Sequence, residues 1–216
     1  MNIVTFIIPT IGRASLKTAL NSLYNQSMPN WKAIVIFDGI EPNIVPNDSR
    51  IKIITTGNKL GISENVNGEN KTNGAGYVRN YGIQLCDTEW IAFLDDDDTI
   101  AYNYLETFYN EIHLIYDADV IIFRMKHPEY GVLPKLNSTN FIKYEVGISF
   151  AMKTKIFQED KNTFKASHSE DYTLLNELRD KNYRIVLSPY VKYFVNNNSH
   201  CDIYHEKGRR FIVKNT

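Results

Sequence analysis

Two periodicities of apolar and polar positions alternate along the first half of the chain. Ile3–Ile8 is an apolar run suited to a strand buried on both faces, and Ala14–Gln26 follows with Leu16, Ala19, Leu20 and Leu23 at helical spacing. Trp31–Phe37 and Ile51–Thr55 read as two further strands. A polar, glycine-bearing loop is expected from Gly57 to Gly76, ahead of a helical pattern at Tyr77–Leu85. Trp90–Leu94 reads as the next strand, Tyr102–Tyr116 as a helix and Asp119–Phe123 as another strand. This βαβ rhythm predicts an α/β fold with a largely parallel sheet flanked by helices. Beyond Phe123 the rhythm loosens. The segment His127–Lys143 is rich in Pro, Gly and Asn, and short antiparallel strands are expected there. Ile148–Lys153 reads as a strand, Asp171–Lys181 as a helix, and Arg184–Leu187 and Val191–Val195 as short strands. No internal repeat or linker interrupts the 216 residues, so one domain over 1–216 is expected.

The pattern breaks most sharply at Trp90-Ile91-Ala92-Phe93-Leu94, which feeds straight into Asp95, Asp96, Asp97 and Asp98. Unpaired carboxylates leave water only at heavy cost, so the run belongs at a strand end that opens on a cleft. Four like charges there call for a cation or a hydroxyl-rich ligand. Hard oxygen donors of this kind suit Mg²⁺, Mn²⁺ or Ca²⁺. In open α/β sheets, ligands bind in the crevice beyond the carboxyl ends of the strands.

Composition removes several alternatives. A formal net charge of −1 lacks the basic excess of a nucleic-acid binder. No apolar stretch approaches the roughly 20 residues of a membrane span. The opening residues lack the basic flank and small-residue cleavage site of a signal peptide. Cys86 and Cys201 form no paired framework, and with the missing signal this leads us to expect a cytoplasmic protein. The Asn-x-Ser/Thr triplets at Asn70 and Asn137 then reflect Asn-rich composition rather than glycosylation.

Other segments carry candidate chemistry. Pro9-Thr10-Ile11-Gly12-Arg13 lies between the first strand and the first helix, where free backbone N–H groups favour anions. Asp38-Gly39 ends the second strand in the equivalent place, although a lone Asp-Gly is ordinarily a turn. Gly74-Ala75-Gly76 opens a helix without the GxGxxG spacing. Arg79 sits near that helix start, against the macrodipole, a placement that a facing carboxylate or phosphate would explain. Ser169-Glu170-Asp171 begins a later helix, where acids either cap it or supply a general base. His168, His200 and His205 share no metal-ligand spacing, and His200, after an Asn-rich run, is the candidate to test. The basic residues Lys207, Arg209, Arg210 and Lys214 read as a solvated run that could also cover a diphosphate.

Taken in order, these segments resemble glycosyltransferase family 2, inverting enzymes of the GT-A fold. VTFIIPTIGRASLKTALNSLYNQSMPNWKAIVIFDG is similar to the family's first βαβ unit. GAGYVRNYGIQLCDTEWIAFLDDDD is similar to its Gly/Arg-Asn helix and DxD strand, and SEDYTLLNEL to the helix that carries the catalytic base. The resemblance implies a GT-A (Rossmann-like) mostly parallel sheet with a smaller mixed or antiparallel C-terminal part. It assigns nucleotide binding to about 1–123 and the acceptor side to about 124–216. It puts Pro9, Thr10, Arg13 and Asp38 at the nucleotide, with Thr10 and Asp38 contacting the nucleobase and Arg79 helping to hold it. Within the acid run it implies Asp97 and Asp95 at the metal, with Asp95 or Asp96 at the ribose; His200, from the residues alone, is a further candidate metal ligand. Asp171 falls on the base position, with Glu170 beside it. Two departures stand out: Phe37 replaces the first of two acids before Gly39, and the usual proline after the metal motif is lost near Tyr102.

The implied reaction is Mn²⁺- or Mg²⁺-dependent, inverting transfer of one sugar from a nucleoside-diphosphate sugar, a UDP-sugar by preference. The acceptor is a hydroxyl on a glycan, lipid or protein. The expected partners are therefore the nucleotide-sugar donor and that acceptor, with no nucleic acid and no transmembrane segment, leaving room for peripheral membrane contact. The alternatives are a sugar nucleotidyltransferase, for which Pro9–Arg13 is a poor phosphate loop, and a non-catalytic Ca²⁺-dependent glycan-binding module.

Overall fold

The computed structural model describes residues 3–61, 63–66, 69–72, 74–167 and 169–196. The first strand, β1 (Val4–Thr10), is buried along its whole length. It pairs in parallel with β2 (Trp31–Phe37) on one side and β6 (Trp90–Phe93) on the other. A further strand, β3 (Ile51–Thr55), extends the sheet from β2, again in parallel. Such runs need no alternation because helices cover both faces. Two of them are α1 (Leu16–Tyr24), which buries Leu16, Ala19, Leu20 and Leu23, and α2 (Gly76–Ile83). α2 lies close against the sheet at Gly82, where an added Cβ would sit 2.4 Å from Ile36 Cδ1. This first half is the parallel block that the periodicity predicts.

The region expected to be a polar loop contains a two-stranded antiparallel hairpin, β4 (Ser63–Val66) with β5 (Glu69–Thr72). The sequence signal was Asn67-Gly68, a dipeptide favoured between hairpin strands, set in a stretch too polar to read as strand.

The second half is mixed. The main sheet runs β3-β2-β1-β6-β10-β8-β11-β7, with β9 attached to β8. Strand β10 (Phe150–Lys153) enters antiparallel between β6 and β8 (Val120–His127), and β9 (Gly131–Leu133) pairs back on β8. The last strand, β11 (Ile185–Phe194), runs parallel to β8. It joins the two short strands expected around Pro189 into one, and its register shifts between Leu187 and Val191, where proline offers no N–H to the ladder. A two-residue strand, β7 (Thr99–Ile100), follows the acid run and pairs with β11. The chain therefore leaves β6 in the sheet centre and, past the acid run, reaches β11 at the far edge.

Helix α3 (Tyr104–Leu114) follows β7, within the Tyr102–Tyr116 span expected. A short helix, α4 (Lys155–Gln158), was not expected, and α5 (Glu170–Asp180) falls where it was. Phe93 anchors the core between the halves, with ring centroids 5.2 Å from Phe150 and 5.3 Å from Phe164. Among the described residues no helix is long and apolar enough to cross a membrane.

Candidate active site

Two cavities open at the carboxyl ends of β1 and β6, and Asp95 lines both. The first, of about 310 Å³, lies between the turn after β1 and the loops at Gly61 and Gly74. Thr10 is buried at its base, where its Oγ1 donates to Asp96 Oδ2 at 2.6 Å and accepts the Gly12 N–H at 2.9 Å. That tight turn needs glycine: Gly12 has φ +80°, and an added Cβ would lie 2.7 Å from Ile40 Cδ1. Arg13 Nη1 bridges Asp96 Oδ1 at 2.9 Å and Asp97 Oδ2 at 3.0 Å from a side chain still 46% exposed. Asp38, on the same wall, accepts the N–H groups of Leu60 at 2.6 Å and Gly61 at 2.9 Å, and the Thr56 hydroxyl at 3.2 Å. It therefore anchors the 56–61 loop that closes this cavity.

The second cavity, of about 190 Å³, lies between the end of β8, the 144–148 loop and the start of α5. Asp98, Glu170 and Asp171 face it together with Asp95. Arg79 is 3% exposed and joins two of these acids, its Nη1 meeting Glu170 Oε1 at 3.0 Å and its Nη2 meeting Asp95 Oδ1. Burial opposes a charge at Arg79, but Asp95 and Glu170 overcome it and raise its pKa. These partners account for an arginine near a helix start. Asp98 Oδ1 accepts the Asn196 N–H at 3.0 Å, and Tyr193 Oη accepts the Asp95 N–H at 3.1 Å. Burial, reinforced by the charge on Asp95, lifts the Asp98 carboxyl to about 8.

Asp171 is the second perturbed acid. Its Oδ1 accepts the Tyr172 N–H at 2.6 Å, and no side-chain cap comes from Ser169. Burial pushes its carboxyl up to about 7, and neighbouring Glu170 adds to this, while the Tyr172 N–H and Arg79 pull the other way. A carboxyl with a pKa near neutrality is suited to accept a proton at working pH. A cavity with acids at its base and a second cavity holding a raised acid thus lie side by side, with Asp95 shared between them.

The Glycosyl transferase family 2 profile matches residues 5–181. This chain belongs to glycosyl transferase family 2. Among its relatives, EpsH of Bacillus subtilis (strain 168), named as a glycosyltransferase, is 36% identical over 98 residues, covering 42% of this chain and 24% of EpsH. Glycosyltransferase GlyG of Streptococcus pneumoniae serotype 4 is 23% identical over 168 residues, covering 74% of this chain and 49% of GlyG. The chain thus spans half or less of these relatives' length. The crystal structure of S. aureus TarS 1-349 matches 90% of this chain and 60% of its own, with a TM-score of 0.69 and 17% identity. The same TarS fragment in complex with UDP-GlcNAc matches 94% and 61%, with a TM-score of 0.67 and 17% identity. The fold is the GT-A type that the sequence resemblance implied.

Set on this family-2 fold, Pro9, Thr10, Arg13, Asp38, Asp95, Asp96 and Asp97 come together around the first cavity. Arg79, Glu170 and Asp171 come together around the second. Arg79 lines the second cavity and reaches the first through its pair with the shared Asp95. His200 and the basic residues from Lys207 to Lys214 lie outside the described residues. The sequence reading passed over Tyr193, His127 and the cavity-facing role of Asp98. Asp98 was legible as the fourth acid, but Tyr193 and His127 are strand residues joined to the site only by the sheet's second half.

A metal can be weighed against these donors. Among the described residues no group of three His, Cys, Asp or Glu is arranged to hold one. Burial and the charge of Asp95 raise the Asp97 carboxyl, an electrostatic load that a divalent ion would relieve. Mg²⁺ is ordinarily held by one or two carboxylates together with substrate phosphates and water. The donors fit Mg²⁺ or Mn²⁺ in company with a diphosphate, not as a closed protein cage.

Proposed function

We propose that this family-2 domain transfers a single sugar, with inversion, from a UDP-sugar to an acceptor hydroxyl. The observation that carries this reading is Asp171, raised to about 7 in a cavity that shares Asp95 with the first cavity of about 310 Å³. The TarS structures in complex with UDP and with UDP-GlcNAc support the choice of donor.

In this reading the first cavity seats the nucleotide. The loop held by Asp38 covers it, with Thr10 and Asp38 on the nucleobase side. Asp97, with Asp95 beside it, would hold Mn²⁺ or Mg²⁺. When bound, that ion neutralises charge building on the departing diphosphate. Arg13 sits on Asp96 and Asp97 and keeps them paired until the diphosphate arrives. Asp171 takes the proton from the acceptor hydroxyl as that oxygen attacks the anomeric carbon from the face opposite the diphosphate. Arg79 ties Asp95 to Glu170 and so fixes the base helix relative to the donor side.

Thermal unfolding in the presence of UDP-sugars, with and without Mn²⁺, tests the donor half. A ligand at 100 times its Kd stabilises by about 2.7 kcal/mol. A raised midpoint with UDP-sugar and Mn²⁺, and UDP release on adding a glycoside acceptor, are the expected results. No shift with any nucleotide sugar, with or without metal, overturns the reading.

A further inference from the structure

A third cavity lies at the other end of the sheet and carries the opposite charge. Its volume is about 370 Å³, within the roughly 300–1,000 Å³ of pockets that enclose a small molecule. The length of α2 leaves it open. That helix packs at Gly82 on Ile7 and Ile36, then stops at Ile83, short of the amino ends of β1, β2 and β3. Thr5 pairs there with Lys32, and Ile34 with Lys52, so these residues share the sheet face that α2 covers further along. Thr5 precedes Thr10 by five residues on β1, which sets this cavity roughly 16 Å of strand away from the catalytic end.

Its lining brings cations together. Lys32, Arg50 and Lys52 face it, and among its described lining residues the carboxylate is Asp87. The two catalytic cavities are lined mainly by acids, in a chain whose net charge is −1. Arg50 is a fixed edge: its Nη2 meets Asp48 Oδ2 at 2.7 Å, and its guanidinium lies 3.9 Å over the Trp31 ring. Lys32 Nζ meets both oxygens of Asp87, at 2.9 and 2.7 Å. Lys52 makes no ion pair among the described residues, yet its charge reaches the same acid. The Asp87 carboxyl is held below its usual range chiefly by the Lys32 hydrogen bond, and Lys52 adds to this.

The Asp87 contact is exchangeable. Its side chain is 68% exposed and that of Lys32 39%, so water screens the pair and a stronger anion can replace it. A phosphate monoester offers three acceptor oxygens and close to two negative charges, enough to engage both lysines at once. The exposed hydroxyl of Ser49 stands on the same rim. Beside the lysines, Ile34 and Leu85 present hydrocarbon on which the body of such an ester can rest.

We propose that this cavity binds a small soluble phosphate monoester, its phosphate between Lys32 and Lys52. The site stands apart from the transfer reaction and does not depend on the donor reading. The wild-type protein, in EDTA so that no divalent ion bridges phosphate to the acids of the catalytic end, is titrated with glucose 6-phosphate and followed by amide NMR and calorimetry. Amide shifts are expected at Ser49–Lys52 and Leu85–Asp87, and none with glucose. Lys32→Gln and Lys52→Gln, both changes at solvent-accessible side chains, should each weaken binding roughly tenfold at an unchanged unfolding midpoint. Undiminished affinity in both variants, or shifts confined to Thr10–Arg13 and Asp95–Asp98, overturns the inference. No response to the ester at millimolar concentration also overturns it, and so does capture on phosphatidic acid vesicles without such a response, which would make this face a membrane contact instead.

Discussion

The two cavities meet at Asp95 yet supply partners to some of their acids very differently. Around the first, Asp38 and Asp96 are met by backbone N–H groups, a threonine hydroxyl and a guanidinium, so their charges organise loops. Around the second, buried Asp98 and half-buried Asp171 have fewer partners, and desolvation pushes them up to about 8 and about 7. A saturated carboxylate holds a shape, and an undersupplied one holds a proton near neutral pH. Adjacent cavities on one sheet end can therefore divide positioning from proton transfer.

The sharpest way to break this division is Asp171→Asn. If the second cavity supplies the base, sugar transfer falls roughly 10²–10⁴-fold, while UDP affinity, set in the first cavity, stays within about twofold. Stopped-assay UDP release and calorimetric UDP titration read the two halves separately. Wild-type transfer by the variant would remove the base from Asp171.

Arg79 is where the two cavities are fastened together, and Arg79→Met should loosen both. It leaves Asp95 and Glu170 without the guanidinium that spans them, and breaking a buried pair from one side costs about 3–5 kcal/mol. Urea unfolding measures this loss directly. A change below about 1 kcal/mol would mean that the acids rearrange independently and that the cavities are not coupled through this residue.

How much of the contrast could be read from the sequence follows from the range of the interactions. The first cavity is built from turns at the ends of β1, β2 and β6, each a local motif, and Thr10, Asp38 and the acid run stood out without a structure. Asp171 was legible as an acid at a helix start that desolvation could raise, but the choice between cap and base was not, because the packing of the 144–148 loop beside it is a tertiary fact. Tyr193 and His127 gave no signal. They reach the site only because β10 inserts antiparallel between β6 and β8, a topology that no local periodicity encodes. The β4–β5 hairpin escaped for a related reason, since its strands carry the composition of a loop.

The pH dependence of stability sharpens the same contrast at smaller scale. A carboxyl whose pKa rises from an ordinary 3.8 to about 7 on folding binds a proton more tightly in the folded state. Its contribution is fully present below the unfolded pKa and is lost as pH rises through about 7. The unliganded domain should therefore lose stability across this window, by at most about 1.4 kcal/mol per pH unit for this one proton. Asp171→Asn should flatten that part of the profile, measured as unfolding midpoint against pH. An unchanged slope would place the proton on another group.

The smallest effect is expected at Arg13, and it asks whether the first cavity is as settled as its hydrogen bonds suggest. The side chain bridges Asp96 and Asp97 while 46% exposed, so solvent screens the pairing and Arg13→Ala should cost less than about 1 kcal/mol of stability. Its consequence for ligands depends on what the guanidinium stands in for. If it occupies the place of a cation, removing it unmasks Asp97, and Mn²⁺ should bind the unliganded variant a few-fold more tightly, because a competing charge of that size has gone. If instead it is chiefly a phosphate ligand, Mn²⁺ affinity stays the same and UDP affinity drops. Mn²⁺ titration by electron paramagnetic resonance, with and without UDP, separates these outcomes. Tighter Mn²⁺ binding by the variant would show that one acid of this cavity is kept paired only until its substrate arrives, which brings it closer to the poised acids across Asp95.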